Sequence, residues 1–242
     1  MVAAEGPGIA KRAASRFGWL RAALFLAGLG LAGWHAHAAT ECLPTADPRI
    51  ERCSAGLDAG LASRLRQSQD ASQWCWAASV SMILGRYGIP VSQQQVVQEA
   101  LGRPDNRALD VASVAELLNR PWRDGAGHLR ASSATPLPPW RKQWGLAAPE
   151  VIEDLPQGRP LLLAAQHHAM VLVELVYERP IAGHAQGPVK ILRAIVLDPQ
   201  SASGLRSLTA AESRPDFLAR VAVEGAEPTT TAAADQLAVV RR

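Results

Sequence analysis

An α+β fold, with helices first and an antiparallel sheet after them, is what this sequence predicts, and three observations predict it. Apolar residues recur at helical spacing, between recognisable caps, from about residue 74 to 118. Val- and Leu-rich runs bounded by Pro, Gly and Asp dominate residues 159–223. The two longest of those runs are separated only by Glu178–Pro188, a length that suits a hairpin. No internal repeat is visible.

Residues 1–38 read as an export signal. Lys11, Arg12, Arg16 and Arg21 form a basic front, Ala22–Trp34 an apolar core, and Ala36-His37-Ala38 a small-x-small cleavage site. The core is about a dozen residues, short of the ~20 a membrane span needs. Export would place the mature chain in the periplasm or outside the cell, with no stable membrane insertion. The whole chain carries a formal charge of +3, and the four basic and one acidic (Glu5) side chains of this leader account for all of it. A near-neutral mature chain gives no reason to expect nucleic acid as a partner.

The chain has three cysteines, Cys42, Cys53 and Cys75. In an oxidising compartment one pair tends to bridge and the odd thiol stays free. Cys42 and Cys53 are close in sequence and are expected to pair, stapling an N-terminal extension of residues 39–65 that contains a short helix near Leu57–Leu65. Cys75 is then the free thiol.

A catalytic domain spans residues 66–224 in this reading. Ala77, Val80, Ile83 and Leu84 mark a helix over Trp74–Arg86, ended at Gly88 and Pro90. Ser92 with Gln95 forms a capping box for a second helix running to about Leu101-Gly102. Asp110 starts a third, with Val111, Val114, Leu117 and Leu118 on one face. Residues 121–146, rich in Pro and Gly with Trp122, Trp140 and Trp144, read as loops around a short strand near His128–Ser133. Pro149 fits the first turn of a helix ending at Leu155-Pro156. Strands are expected over Arg159–Ala164, His168–Tyr177, Val189–Leu197 and Phe217–Val223, with a short helix near Thr209–Glu212 before the last. Residues 225–242 have the composition of a disordered tail.

The chemistry concentrates at Gln69-Asp70-Ala71-Ser72-Gln73-Trp74-Cys75-Trp76-Ala77. A cysteine at a helix start meets free N–H groups and the positive end of the helix dipole, which favour the thiolate. Gln69 can offer an amide N–H to an oxyanion beside that sulfur. A cysteine nucleophile also needs a base, and His128, His167, His168 and His184 are available. His184 lies in the predicted hairpin loop and His128 in an ill-defined one. His167 and His168 begin the strongest strand. Adjacent strand residues face opposite ways, so only one of them can meet Cys75, and alternation does not choose between them. The same divergence argues against a metal pair, and no metal or cofactor is expected. Asp198 ends the next strand, within reach of a histidine at the start of its neighbour.

Gln69 with Cys75-Trp76-Ala77, His168-Ala169-Met170-Val171 and Val196-Leu197-Asp198-Pro199 together resemble the papain-like cysteine proteases, in their compact bacterial form. Gly158-Arg159-Pro160 before the histidine strand fits too, and the resemblance covers Gln69 to about Val223. It implies a nucleophile helix facing a half-barrel sheet. It also implies roles: Cys75 as nucleophile, His168 rather than His167 as base and acid, Asp198 as its orienter, and Gln69 with the Cys75 backbone N–H as oxyanion hole. Ser72-Gln73-Trp74 replaces the Cys-Gly-Ser of larger papains, with Trp74 expected to narrow the cleft. Asp198 stands in place of their asparagine, and Glu174 where many relatives have glycine. The expected activity is that of a secreted, monomeric cysteine peptidase acting on peptide or isopeptide bonds. Acyl transfer or amide hydrolysis by the same triad, and a non-catalytic binding module on the same scaffold, are the alternatives.

Overall fold

A computed structural model describes residues 40–137, 145–182 and 187–226. The leader, the tail beyond residue 226, His184, Trp140 and Trp144 lie outside the described residues. The described part is α+β, with five helices and nine strands in one mainly antiparallel sheet.

Residues 39–65, expected as a stapled extension, enter the sheet. Thr40–Pro44 (β1) and Ile50–Gly56 (β2) form an antiparallel hairpin in which Cys42 faces Cys53 and the two are disulfide-bonded. The expected short helix follows as Ala59–Leu65 (α1), capped by Asp58, which accepts from the Leu61 N–H at 3.0 Å.

The helical third of the chain matches its local code. Cys75–Arg86 (α2) ends in paired bonds, Gly88 N–H to the Gly85 carbonyl and Ile89 N–H to that of Leu84. That arrangement needs a left-handed residue, and Gly88 supplies it with φ 73°. Gln93–Leu101 (α3) carries the complete Ser92/Gln95 capping box and stops at left-handed Gly102. Val111–Leu118 (α4) is capped by Asp110, whose carboxylate accepts from Ala112 and Ser113 N–H groups. Pro149–Asp154 (α5) has its proline in the first turn and runs on into a 3-10 turn, Leu155–Gln157.

The remaining strands are Pro121–Arg123 (β3), Leu129–Pro136 (β4), Leu161–Ala165 (β5), His168–Pro180 (β6), Lys190–Leu197 (β7), Leu205–Ser207 (β8) and Phe217–Val223 (β9). β3 falls where a loop was expected, and β8 where no element was assigned. Thr209–Glu212 is a single turn rather than a helix. β6 is the spine of the sheet. It pairs with β7 along one edge, and with β5 and then β2 along the other. β9 continues the sheet beyond β5, and β4 and β3 beyond β9.

Side chains of β6 divide between two cores. Ala169, Val171 and Val173 join the helix-side cluster with Val80, Ile83 and Leu84 of α2. Met170, Leu172, Leu175 and Tyr177 join a second cluster with Val151 and Leu155. The switch from even to odd positions coincides with a register shift between Leu172 and Glu174 against β7, a bulge that re-aims the strand. Helix α2 is buried on nearly every side, as a helix between other layers must be. Each of its fully buried Val, Ile and Leu side chains contributes about 1.5–3 kcal/mol through burial.

Glu174 lies at that bulge. Its Oε1 accepts from Ser54 Oγ at 3.0 Å, and Gly56 of β2 packs so closely on it that a Cβ there would stand 2.7 Å from the Glu174 Cβ. The acid is accommodated by a serine and a glycine on the neighbouring strand.

Candidate active site

Cys75 is the first residue of α2, so its backbone N–H is one of the four with no acceptor inside the helix. The thiol is half-buried and not disulfide-bonded. The His168 side chain and the backbone N–H groups of Ala169 and Trp76 lie beside it and favour its thiolate. Burial pushes the thiol pKa up, but these contacts and the imidazolium charge outweigh it, so the pKa lies below that of an ordinary thiol.

His168 opens β6. Its Nε2 is 2.6 Å from Asp198 Oδ1, which leaves Nδ1 for the sulfur. Burial lowers the imidazole pKa. The bonds to Asp198 and Cys75 and their negative charges more than offset that, holding it at about 9. Asp198 follows β7. Burial pushes its carboxyl up, but bonds from His168, Arg206 and the Gln200 N–H together hold it well below the usual carboxylate range. A lowered thiol beside a raised imidazole shifts the pair toward thiolate and imidazolium.

His167 and His128 are placed elsewhere. Gln166 and His167 form the two-residue turn between β5 and β6, both with positive φ (51° and 60°). Two consecutive left-handed residues are what a tight hairpin of the right twist requires. His167 is therefore in the turn and exposed, not on the strand. Asp216 clasps this turn, accepting from the Gln166 N–H at 3.1 Å. His128 lies exposed at the β3–β4 turn, 3.4 Å from Asp124.

The Gln69 loop is fastened from several sides. The Gln69 N–H donates to the Pro199 carbonyl at 3.0 Å, joining the nucleophile loop to the Asp198-Pro199 turn. Gln93, buried at the start of α3, grips the backbone on either side of Gln69. Its Oε1 accepts from the Asp70 N–H and its Nε2 donates to the Ser68 carbonyl. The Gln69 side-chain amide donates to the Ala71 and Ser72 carbonyls at 3.0 and 2.8 Å. Its Oε1 is buried without a partner among the described residues. Turned the other way, that oxygen would face two carbonyl oxygens, so the orientation stands on chemistry.

Trp74, expected at the cleft, packs inward together with Trp76. Both are buried, and their indole N–H groups donate to the carbonyls of Asp105 and Arg107 at 2.8 and 3.1 Å. Asn106 completes the strap, accepting from the Gln73 N–H and donating to Ser72 Oγ. The loop between α3 and α4 thus braces the residues just before Cys75.

Sequence reasoning missed Gln93, Asn106, Arg206 and Glu212. Arg206 Nε donates to Asp198 Oδ2 at 2.6 Å, and the same guanidinium makes a two-pronged bond to Glu212 at 2.8 and 2.6 Å. One signal was available. Thr209-x-x-Glu212 is a capping-box pattern, and Thr209 and Glu212 do exchange the bonds of a capping box.

The only group of metal-ligand side chains clustered among the described residues is Cys42, Glu51 and Cys53, and its two sulfurs are bonded to each other. No helix among the described residues is long and apolar enough to cross a membrane.

No protein-family model matches the chain, and no curated protein does. One solved structure similar to it is a double glycine motif protease from an AMS/PCAT transporter in complex with the leader peptide. The identity is 17%, the TM-score 0.37, and the match covers 67% of this chain and 89% of that one. What the site can do therefore rests on its own side chains: a thiol whose pKa is lowered, an imidazole whose pKa is raised, and a carboxylate bonded to that imidazole.

Proposed function

We propose that this chain is an exported cysteine peptidase of papain-like type, cleaving peptide or isopeptide bonds through a Cys75 acyl-enzyme. The observation that carries the reading is the 2.6 Å bond between His168 and Asp198 with the Cys75 thiol beside that imidazole, its pKa lowered by it. Export is supported by the Cys42–Cys53 disulfide, which persists in oxidising compartments, and by the leader-like first 38 residues. A monomer acting on a peptide substrate without a cofactor is the form this reading takes.

The chemistry follows from the residue types. The Cys75 thiolate attacks the substrate carbonyl carbon, and the π pair moves onto oxygen. The Cys75 backbone N–H and a Gln69 Nε2–H receive that oxyanion. For Gln69 this exchanges the longer of its two carbonyl bonds, to Ala71, for the substrate oxygen while the bond to Ser72 holds the amide. The His168 imidazolium gives its Nδ1 proton to the leaving nitrogen, the C–N bond breaks, and a thioester remains. His168 then takes a proton from water, whose oxygen attacks the thioester and releases the carboxylic acid and the sulfur. Asp198 keeps the ring aimed throughout and remains ionised.

The test is comparison of new peptide N-termini in a protein extract after incubation with the mature chain and with Cys75→Ala. Cleavage should fall by roughly a thousandfold or more in the variant. Equal cleavage by both would overturn the reading. Products carrying an added amine in place of hydrolysed ends would assign acyl transfer to the same triad.

A further inference from the structure

We infer that Arg206 and Glu212 are positioning residues for this site: the guanidinium, clamped by Glu212, locks the Asp198 carboxylate against His168 and takes up part of its charge. This rests on the cysteine-nucleophile reading above and adds to it the device that sets the acid–base balance.

The geometry leaves Asp198 little freedom. Oδ1 faces His168 Nε2 at 2.6 Å and accepts from the Gln200 N–H at 2.8 Å, while Oδ2 takes the Arg206 Nε at 2.6 Å. A carboxylate bonded on both oxygens cannot rotate away from the imidazole. Arg206 in turn is fixed at every nitrogen. Beside Asp198 it reaches both oxygens of Glu212, the Ser207 carbonyl and the Met170 sulfur. Met170 is two residues from His168 on β6, so the guanidinium is tied to the strand that carries the base. Glu212 is held by the Thr209 turn, its Oε2 accepting from the Thr209 N–H at 2.8 Å. Asp198 and Glu212 side chains are only 7% and 13% exposed, so salt screens the cluster weakly.

The signs of the charges alternate along this path: Glu212 negative, Arg206 positive, Asp198 negative, His168 positive, Cys75 negative as thiolate. Among the described residues these five act directly on one another. Arg206 draws on the Asp198 charge and so weakens its hold on the His168 proton. Glu212 draws on Arg206 and restores that hold. An arginine alone would over-neutralise Asp198. An aspartate alone would bind the proton too tightly and could swing free. The pair holds the acid in place at an intermediate strength, which is what a base that must also return its proton requires.

The test follows the His168 imidazole by NMR titration in the full mature chain, with the pH dependence of Cys75 alkylation by iodoacetamide measured alongside. Arg206→Gln should raise the His168 midpoint and Glu212→Gln should lower it, each by roughly half to one pH unit. Arg206→Lys, which keeps the charge, should leave the midpoint near that of the unsubstituted chain. A general loosening of the site would move both neutralising variants the same way, and that result, or no movement in either, overturns the inference. If Arg206→Gln does not fold, the decision falls to the lowered midpoint of Glu212→Gln and the unmoved one of Arg206→Lys. Alkylation of Cys75 in the unsubstituted chain no faster than free cysteine at neutral pH would remove the catalytic reading, while the His168 midpoints would still decide what Arg206 and Glu212 do.

Discussion

His168 earns its place by position rather than by parity. On β6 the helix-facing side chains are Ala169, Val171 and Val173. By alternation His167 would share their face. The left-handed turn at Gln166-His167 takes that residue off the strand, and His168, at the very start of β6, meets both Cys75 and Asp198. The thiolate–imidazolium pair of the proposed mechanism has a signature in pH. The reactive form needs Cys75 deprotonated and His168 protonated. Activity should therefore rise on the acid side through a thiol pKa below the ordinary one and fall on the alkaline side through about 9, as the imidazolium is lost. Turnover plotted against pH measures this. An alkaline limb that survives in Cys75→Ser with unchanged rate would assign the titration to another group. With Gln69 in its proposed role as oxyanion donor, substituting it by Ala should cut kcat by roughly 100- to 1000-fold with little effect on KM.

At the level of elements, the hairpin β1–β2 shows how a weak sequence signal hides a sheet strand. Its residues alternate poorly and carry Pro, Arg and Glu. Yet β2 pairs with β6 over its whole length, and Arg52–Glu178 and Glu51–Arg179 stand opposite each other as charge pairs across the two strands. Such exposed pairs are worth little individually, so burial of Cys53 and Ala55 at the sheet core must hold β2 in place. The disulfide ties β1 to it. Replacing Cys42 and Cys53 with Ser should lower unfolding free energy by about 2–4 kcal/mol in chemical denaturation. Alkylation of Cys75 should not change, because the hairpin lies along the far half of β6 from His168. A fall in Cys75 reactivity equal to the loss of stability would mean that β1 and β2 shape the site directly.

For the whole molecule, the candidate site is a seam. Cys75 comes from the helical part, His168 from the start of β6 and Asp198 from just beyond β7, and the Gln69–Pro199 backbone bond sews the two parts together. Its stability must depend on pH. Asp198 and Glu212 are held below their ordinary pKa values, Glu212 at about 2 by its bond from Arg206. A group lowered on folding stabilises the fold above its unfolded value, about 4, and loses that contribution as pH falls through the folded value. The melting temperature should therefore drop steeply between about pH 4 and pH 2. Glu212→Gln should flatten part of that drop. An unchanged acid transition in this variant would mean that the carboxylates bearing on stability lie elsewhere.

What was legible in the sequence was whatever short-range chemistry encodes. The capping box at Ser92, the Asp110 cap, Gly88 beyond α2, Pro149 in the first turn of α5 and the long apolar run of β6 each specify a local conformation within a few residues. The free thiol at a helix start and the choice of Cys42 and Cys53 as partners were readable for the same reason, from spacing and counting. What only the tertiary structure decided depends on contacts between distant residues. It gave β1, β2, β3 and β8 their partners, buried Trp74 and Trp76 under the 105–107 loop, and brought Gln93 to the Gln69 loop and Arg206 with Glu212 to Asp198. Local sequence sets backbone dihedrals. Long-range packing decides which side chains end up facing one another, and the candidate site is made almost wholly of such pairs.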